Sequence, residues 1–267
     1  MRAILDLYRA QMRIAIATQF QYRVANLLYM IGMIAEPVIY LVVWSTVAQT
    51  QGGSVAGYTA GEFAAYYIVW TLVRNMNVVL TPYAWEHFIK QGRLSSELLR
   101  PINPFHSSLS YFIGWKVVVI ALWLPMAAVL TLIFRPTLQP ALWQIAAFMV
   151  ALWTGFLVRF VLLWLLGLVT FWTTRVSAIF EVYFTAELLL SGRFVPLALL
   201  PSWAQQLADL LPFQWAFGFP IELLLGRLTP RETLIGFANQ LFWCLVGLGL
   251  TALIWRSALR RFSAVGA

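Results

Sequence analysis

The sequence predicts an all-α polytopic membrane protein: six transmembrane segments, an N-terminal interfacial helix, a helical loop between spans two and three, and a re-entrant hairpin after span five. Three observations predict it. First, the 267 residues are 61% hydrophobic and 10% charged, whereas soluble domains are about 45–50% apolar and about 25% charged. A soluble globule of this composition could not cover its core, and 16% aromatic content excludes a disordered chain. Second, six apolar runs approach the roughly 20 residues needed to cross a bilayer. Third, the Lys and Arg residues gather between those runs on alternate sides. The net charge of +8 therefore reports membrane topology and not a nucleic-acid partner.

The runs are 24–48, 62–82, 107–134, 141–171, 176–191 and 232–256. The first begins too late and runs too long for a signal peptide. Thr59 with Glu62, Ser202 with Gln205, and Thr229 with Glu232 each have capping-box spacing, and Pro230 suits a first helical position. The fifth run is short and is followed by Pro196, Pro201, Pro212 and Pro220. Residues 192–226 are accordingly expected to form a re-entrant or interfacial hairpin, which needs protein or water to satisfy its backbone. With both termini inside, the inner segments hold Arg2, Arg9, Arg13, Arg23, Lys90, Arg93, Arg100, Arg175, Arg256, Arg260 and Arg261. The outer segments hold only Arg135, Arg193, Arg227 and Arg231. No repeat or soluble domain interrupts the chain, so residues 1–267 are expected to form one membrane domain.

Two stretches are amphipathic without being spans. In residues 2–20, Arg2, Asp6, Arg9 and Arg13 recur at helical spacing, as in a helix lying in the membrane interface. In residues 84–100, Glu86, Lys90, Arg93, Glu97 and Arg100 form a mixed-charge stripe, with Trp85, Phe88, Ile89, Leu98 and Leu99 available for apolar contact. Gly92 is expected to break that helix, and Pro101 and Pro104 to end it. A plain turn between spans would need only two to eight residues, so this stretch reads as a docking surface.

Charges within spans are costly and face protein or water. Counting outward from the loop centred near residue 55 places Glu36 and Arg74 at equal depth. Counting from the loop near residue 173 does the same for Arg159 and Glu187. Both are expected to be ion pairs that fix packing. Tyr66, Tyr67, Trp70, Phe194, Trp203, Phe213 and Trp215 are candidates for lining a pathway, although core or interface packing accounts for them better.

Catalytic signals are missing. The two lysines, Lys90 and Lys116, do not follow glycine, so no Walker A phosphate loop is present. His87, His106 and the single cysteine, Cys244, form no spacing suited to a metal. No nucleophilic triad stands out, and no cofactor is expected on this chain.

The chain resembles the membrane subunit of ABC-2-type exporters, among them the compact bacterial permeases. The N-terminal helix from Met1 to Phe20, the segment FIKQGRLSSELLRPINP (Phe88 to Pro104) and the segment SGRFVPLALLPSWAQQLADLLPFQWAFGFPIELLLGRL (Ser191 to Leu228) carry the likeness. The resemblance implies that residues 84–104 contain a coupling helix that docks on a separate ATPase, with Glu86, Phe88, Lys90, Arg93, Glu97 and Arg100 at the contact. It implies a second permease, identical or sister, and ATP with Mg on the ATPase partner. It also implies membrane-lipid surroundings and a bacterial plasma-membrane location. A secondary transporter and a non-transporting scaffold are the alternatives.

Overall fold

The computed structural model describes residues 2–80, 84–85, 87–88, 91–173 and 176–261. Helix α1 (Arg2–Gln21) is followed after one residue by α2 (Arg23–Thr50). A two-residue antiparallel hairpin, β1 (Ser54–Val55) and β2 (Tyr58–Thr59), turns the chain into α3 (Ala60–Asn77). Short α4 (Arg93–Leu98) leads to α5 (Pro104–Phe134) and α6 (Leu142–Gly167), which continues as a 3-10 turn over Leu168–Phe171. Then come α7 (Ser177–Leu190), a 3-10 turn over Leu197–Leu199, α8 (Ser202–Leu210), α9 (Phe213–Ala216), α10 (Gly218–Leu224) and α11 (Pro230–Arg261).

Among the described residues, four helices are long and apolar enough to cross a membrane: Arg23–Thr50, Pro104–Phe134, Leu142–Phe171 and Pro230–Arg260. The other two expected spans are shorter. Helix α7 has only 14 residues. Helix α3 stops at Asn77, about a turn before the apolar run ends. Its last turn is polar, and Asn75 and Asn77 donate their side-chain amides back to the carbonyls of Thr71 and Val73.

Helix α3 is the centre of the packing. Phe63, Tyr66, Tyr67, Trp70, Val73 and Met76 are all fully buried, and α2, α5, α6 and α10 contact it. Such all-round burial explains its mixed sequence. A helix enclosed by other helices has no lipid face to keep apolar.

Two capping boxes form as spaced. The Thr59 hydroxyl accepts from the Glu62 amide while Glu62 accepts from the Thr59 amide. Thr229 and Glu232 do the same ahead of α11. The expected box at Ser202 does not form. The carbonyl of Pro201 already accepts from the amides of Ala204 and Gln205, so α8 starts at Ser202 itself. The Gln205 side chain instead donates to the Leu200 carbonyl at 2.8 Å. Residues 192–226 form a broken series of short helices, with Pro196, Pro201 and Pro212 at the breaks and Pro220 in the first turn of α10.

The N-terminal helix lies on α5. Tyr8 and His106 meet at 3.1 Å, and Ala15 is fully buried. The helices are closest at Gly114, where an added Cβ would lie 2.7 Å from the Met12 Cα. Only glycine admits that approach. Gly114→Val should therefore lift α1 off α5 at a cost of about 1–3 kcal/mol. In limited trypsinolysis, cleavage at Arg9 and Arg13 should become fast in the variant and stay slow in wild type, with α5 and α6 uncut in both.

Candidate functional site

The residues that carry charge and hydrogen bonding fall into three groups strung along α3. One is the 84–100 segment beyond its C-terminus, another is a buried hub at its last turn, and the third is a cluster at its N-terminus.

In the 84–100 segment, Trp85 is the anchor. It is buried against Trp164 with ring centres 4.8 Å apart, roughly perpendicular, a favourable edge-to-face geometry. Gly167 makes room for it, since a Cβ there would lie 2.0 Å from the indole nitrogen. Phe88 packs on Trp85 in turn. Gly92 takes a left-handed φ of 68° and starts α4, the break that the sequence predicts. Leu94 is fully buried, whereas Leu99 is 88% exposed. Arg93 and Arg100 are exposed, and Arg100 pairs with Glu97 at 3.0 Å. The segment is thus held from below by Trp85 and Leu94 and presents Arg93, Leu99 and Arg100 outward. Glu86 and Lys90 lie outside the described residues, as does Arg175.

The hub surrounds the end of α3. Arg159 of α6 donates from Nε and Nη2 to the two Glu187 oxygens at 2.7 and 3.0 Å. Its Nη1 donates to the Asn77 carbonyl. Arg193, just past α7, donates to the same Glu187 at 2.9 Å. Lys116 of α5 is fully buried. It donates to the Asn75 carbonyl at 2.9 Å and to the Val78 carbonyl, and sits 4.2 Å from the Trp115 ring centre. Asn77 also donates to the Ala216 carbonyl of α9 at 3.0 Å. Nearby, Arg74 of α3 meets Glu36 of α2 at 2.6 Å and lies over the Trp70 ring.

Electrostatics explains why so many cations converge here. Among the described residues, Arg74, Lys116, Arg159 and Arg193 gather around two carboxylates, Glu36 and Glu187. The remaining positive charge meets the C-terminal carbonyls of α3, which have no partners within the helix and form the negative end of its dipole. The arrangement joins α2, α3, α5, α6, α7 and α9 through one polar network.

At the other end of α3, the Tyr58 hydroxyl donates to Glu222 at 2.5 Å. The Arg227 guanidinium lies 3.5 Å from the Tyr58 ring centre, bonds Glu62 at 3.0 Å and donates to the Gly57 carbonyl. Burial raises the Glu222 carboxyl to about 7, and Glu62 adds to the rise, against the lowering effects of the Tyr58 hydrogen bond and Arg227. Two further bonds tie α3 to the chain after α7: Tyr66 to the Gly192 carbonyl at 2.7 Å and Tyr67 to the Phe194 carbonyl at 3.1 Å.

The candidate pathway aromatics divide by exposure. In this conformation the faces of Tyr66, Tyr67 and Trp70 are taken up by packing, and Phe213 is buried against Tyr183. Trp215 is half-buried. Phe194 and Trp203 are 43% and 67% exposed. Sequence reasoning missed Tyr58, Glu222 and Arg193 as interacting groups. Arg193, counted among the outer cations in the sequence, is half-buried in the structure and pairs with Glu187. The signal for Glu222 was present, a lone carboxylate inside the run FPIELLL.

Long apolar helices enclosing a buried ionic network define a multi-pass membrane protein. Compared with protein families, residues 34–266 match the ABC-2 family transporter proteins. The chain belongs to that family, as a permease-type membrane component that is not itself catalytic. The family as a whole associates with ABC ATPases. No curated protein matches the chain significantly.

Two expectations follow. Removing Glu187 leaves the buried Arg159 and the half-buried Arg193 without their carboxylate, a loss of about 3–5 kcal/mol. Glu187→Gln should markedly lower the thermal midpoint in detergent, and by far more than Glu232→Gln at an exposed cap. For Glu222, the folded state holds the proton more tightly than the unfolded state. Between the ordinary value near 4.5 and about 7, the folded chain therefore binds more protons, and stability declines as pH rises through that window. Glu222→Gln should flatten this decline and raise the thermal midpoint at pH 8 relative to wild type, with the gap closing near pH 4.

Proposed function

We propose that the chain is the permease subunit of an ATP-driven bacterial exporter. In this reading it pairs with a second permease, identical or sister, in the plasma membrane. ATP and Mg bind to separate ATPase subunits that engage residues 84–104. Six crossings follow from charge placement. Helix α2 leaves the side that carries Arg9, Arg13 and Arg23, and the segment with Arg93 and Arg100 belongs on that same side, so α3 must return the chain. Helix α3 is about 27 Å long at 1.5 Å per residue, enough for most of the hydrocarbon layer. By the same rule α7 and the following short helices lead outward, α11 returns toward Arg256 and Arg260, and both termini are cytoplasmic.

The observation that carries the proposal is the form of the 84–100 segment. A leucine left 88% exposed between two exposed arginines is costly on a free surface and useful on a docking surface. Movement of that segment reaches Trp85, then α6 through Trp164 and Gly167, and α6 carries Arg159 to the end of α3. Nucleotide would drive the cycle by favouring the closed state of the ATPase, and with it one position of this segment. Tyr66 and Tyr67 would pass a shift of α3 to the chain after α7. Charged side chains at the contact would set its salt dependence.

Co-expression with an ABC ATPase from the same genome, followed by affinity purification, tests the proposal. The ATPase should co-purify with wild type and be lost, by at least about tenfold, with Arg93→Glu combined with Leu99→Asp. Both side chains are exposed, so the variant should keep the wild-type thermal midpoint. Failure of the ATPase to co-purify, or retention by the double variant, would remove the coupling role from this segment.

A further inference from the structure

A cleft of about 860 Å³ lies between α7 and α8. Small residues line it from both sides, Ala178 and Ala186 of α7 and Ala204 of α8. Its wall is almost entirely apolar, and the exposed rings of Phe194 and Trp203 belong to it. Two polar side chains interrupt that wall, Glu181 and Thr185, one helical turn apart on the same face of α7. Glu181 is exposed, and its carboxylate has no ion-pair or hydrogen-bond partner among the described residues. Among the described residues, no lysine or arginine lines the cleft. The volume is that of a small-molecule site, where a few polar groups orient a mostly apolar ligand.

We propose that this cleft binds an amphipathic organic cation, with Glu181 meeting the charge, Thr185 accepting a hydrogen bond, and Phe194 and Trp203 offering ring faces. A carboxylate on an apolar wall calls for a positive partner, and aromatic faces attract the same charge. A second copy of the chain fits less well. A two-fold axis passing through the cleft would set Glu181 against its own copy, with no cation among the described lining residues to offset the pair. The proposal supplies a cargo class for the permease reading and rests on it.

The test uses the full chain in phosphatidylcholine nanodiscs, where the lipid has no net charge. Binding of tetraphenylphosphonium is measured by equilibrium dialysis, with empty discs subtracted, and tetraphenylborate serves as the anionic counterpart of similar shape. Saturable binding of the cation, absent for the anion, is expected. Glu181→Gln should weaken it at least about tenfold, Trp203→Ala should weaken it less, and Glu181→Asp should retain part of it. Equal binding of the two ions, or cation binding unchanged in Glu181→Gln, overturns the proposal. So does a lack of saturable binding, and a Glu181→Cys cross-link between two copies would then show the second copy seated there. Dialysis needs no ATPase. Co-purification without cation binding therefore sinks the cleft alone, whereas cation binding without co-purification sinks only the coupling reading.

Discussion

A helix that ends inside a membrane protein must find donors for its last carbonyls, because no solvent is available to supply them. Helix α3 ends in this way at Asn77, and the fold is arranged around the solution. Lys116 and Arg159 reach in from α5 and α6 to the carbonyls of Asn75, Asn77 and Val78. Having brought two charges into the interior, the structure must also hold them. Glu187 fixes Arg159 in a bidentate grip and takes Arg193 on its remaining side, while Lys116 rests on the Trp115 face. Buried ionic groups of this kind contribute little net stability compared with an apolar core, but losing one member is expensive. Their effect is to fix which helices meet at this point.

The same point is where two regions with different tasks come closest through the protein. The 84–100 segment begins a few residues beyond Asn77 and is anchored on α6 through Trp85. From the other direction, Asn77 holds the Ala216 carbonyl of α9. A displacement of α6 would therefore act on the end of α3 and on the broken helices together. Lys116 and Arg159 leave little slack in the network, since each bonds two partners.

Much of this was legible in the sequence, and the reasons are physical. Depth counting works because antiparallel helices rise by equal amounts, so Glu36 with Arg74 and Arg159 with Glu187 could be matched from loop positions alone. Capping at Thr59 and Thr229 was readable because the signal is local. What escaped notice depends on the backbone or on distant chain. Lys116 bonds carbonyls, which any sequence supplies, so no partner residue marks it. The early end of α3 follows from Asn75 and Asn77 folding back on their own helix, a choice that hydropathy averages over. Ser202 has the spacing of a cap, but a proline before it already satisfies the first amides. The Tyr58–Glu222 bond spans 164 residues and crosses two elements that no periodicity relates.

The close approach of α1 to α5 bears on how the protein is made. Tyr8 and His106 are 98 residues apart, and the glycine that seats Met12 comes later still. At about 5–20 residues per second of synthesis, the N-terminal helix waits roughly 5–20 s for its seat to be translated. During that interval the face that α5 later covers, with Ala15 on it, must be kept from other partners, which the lipid surface can do. Helix α1 then works as a clasp closed late in biogenesis, and the membrane acts as its temporary chaperone.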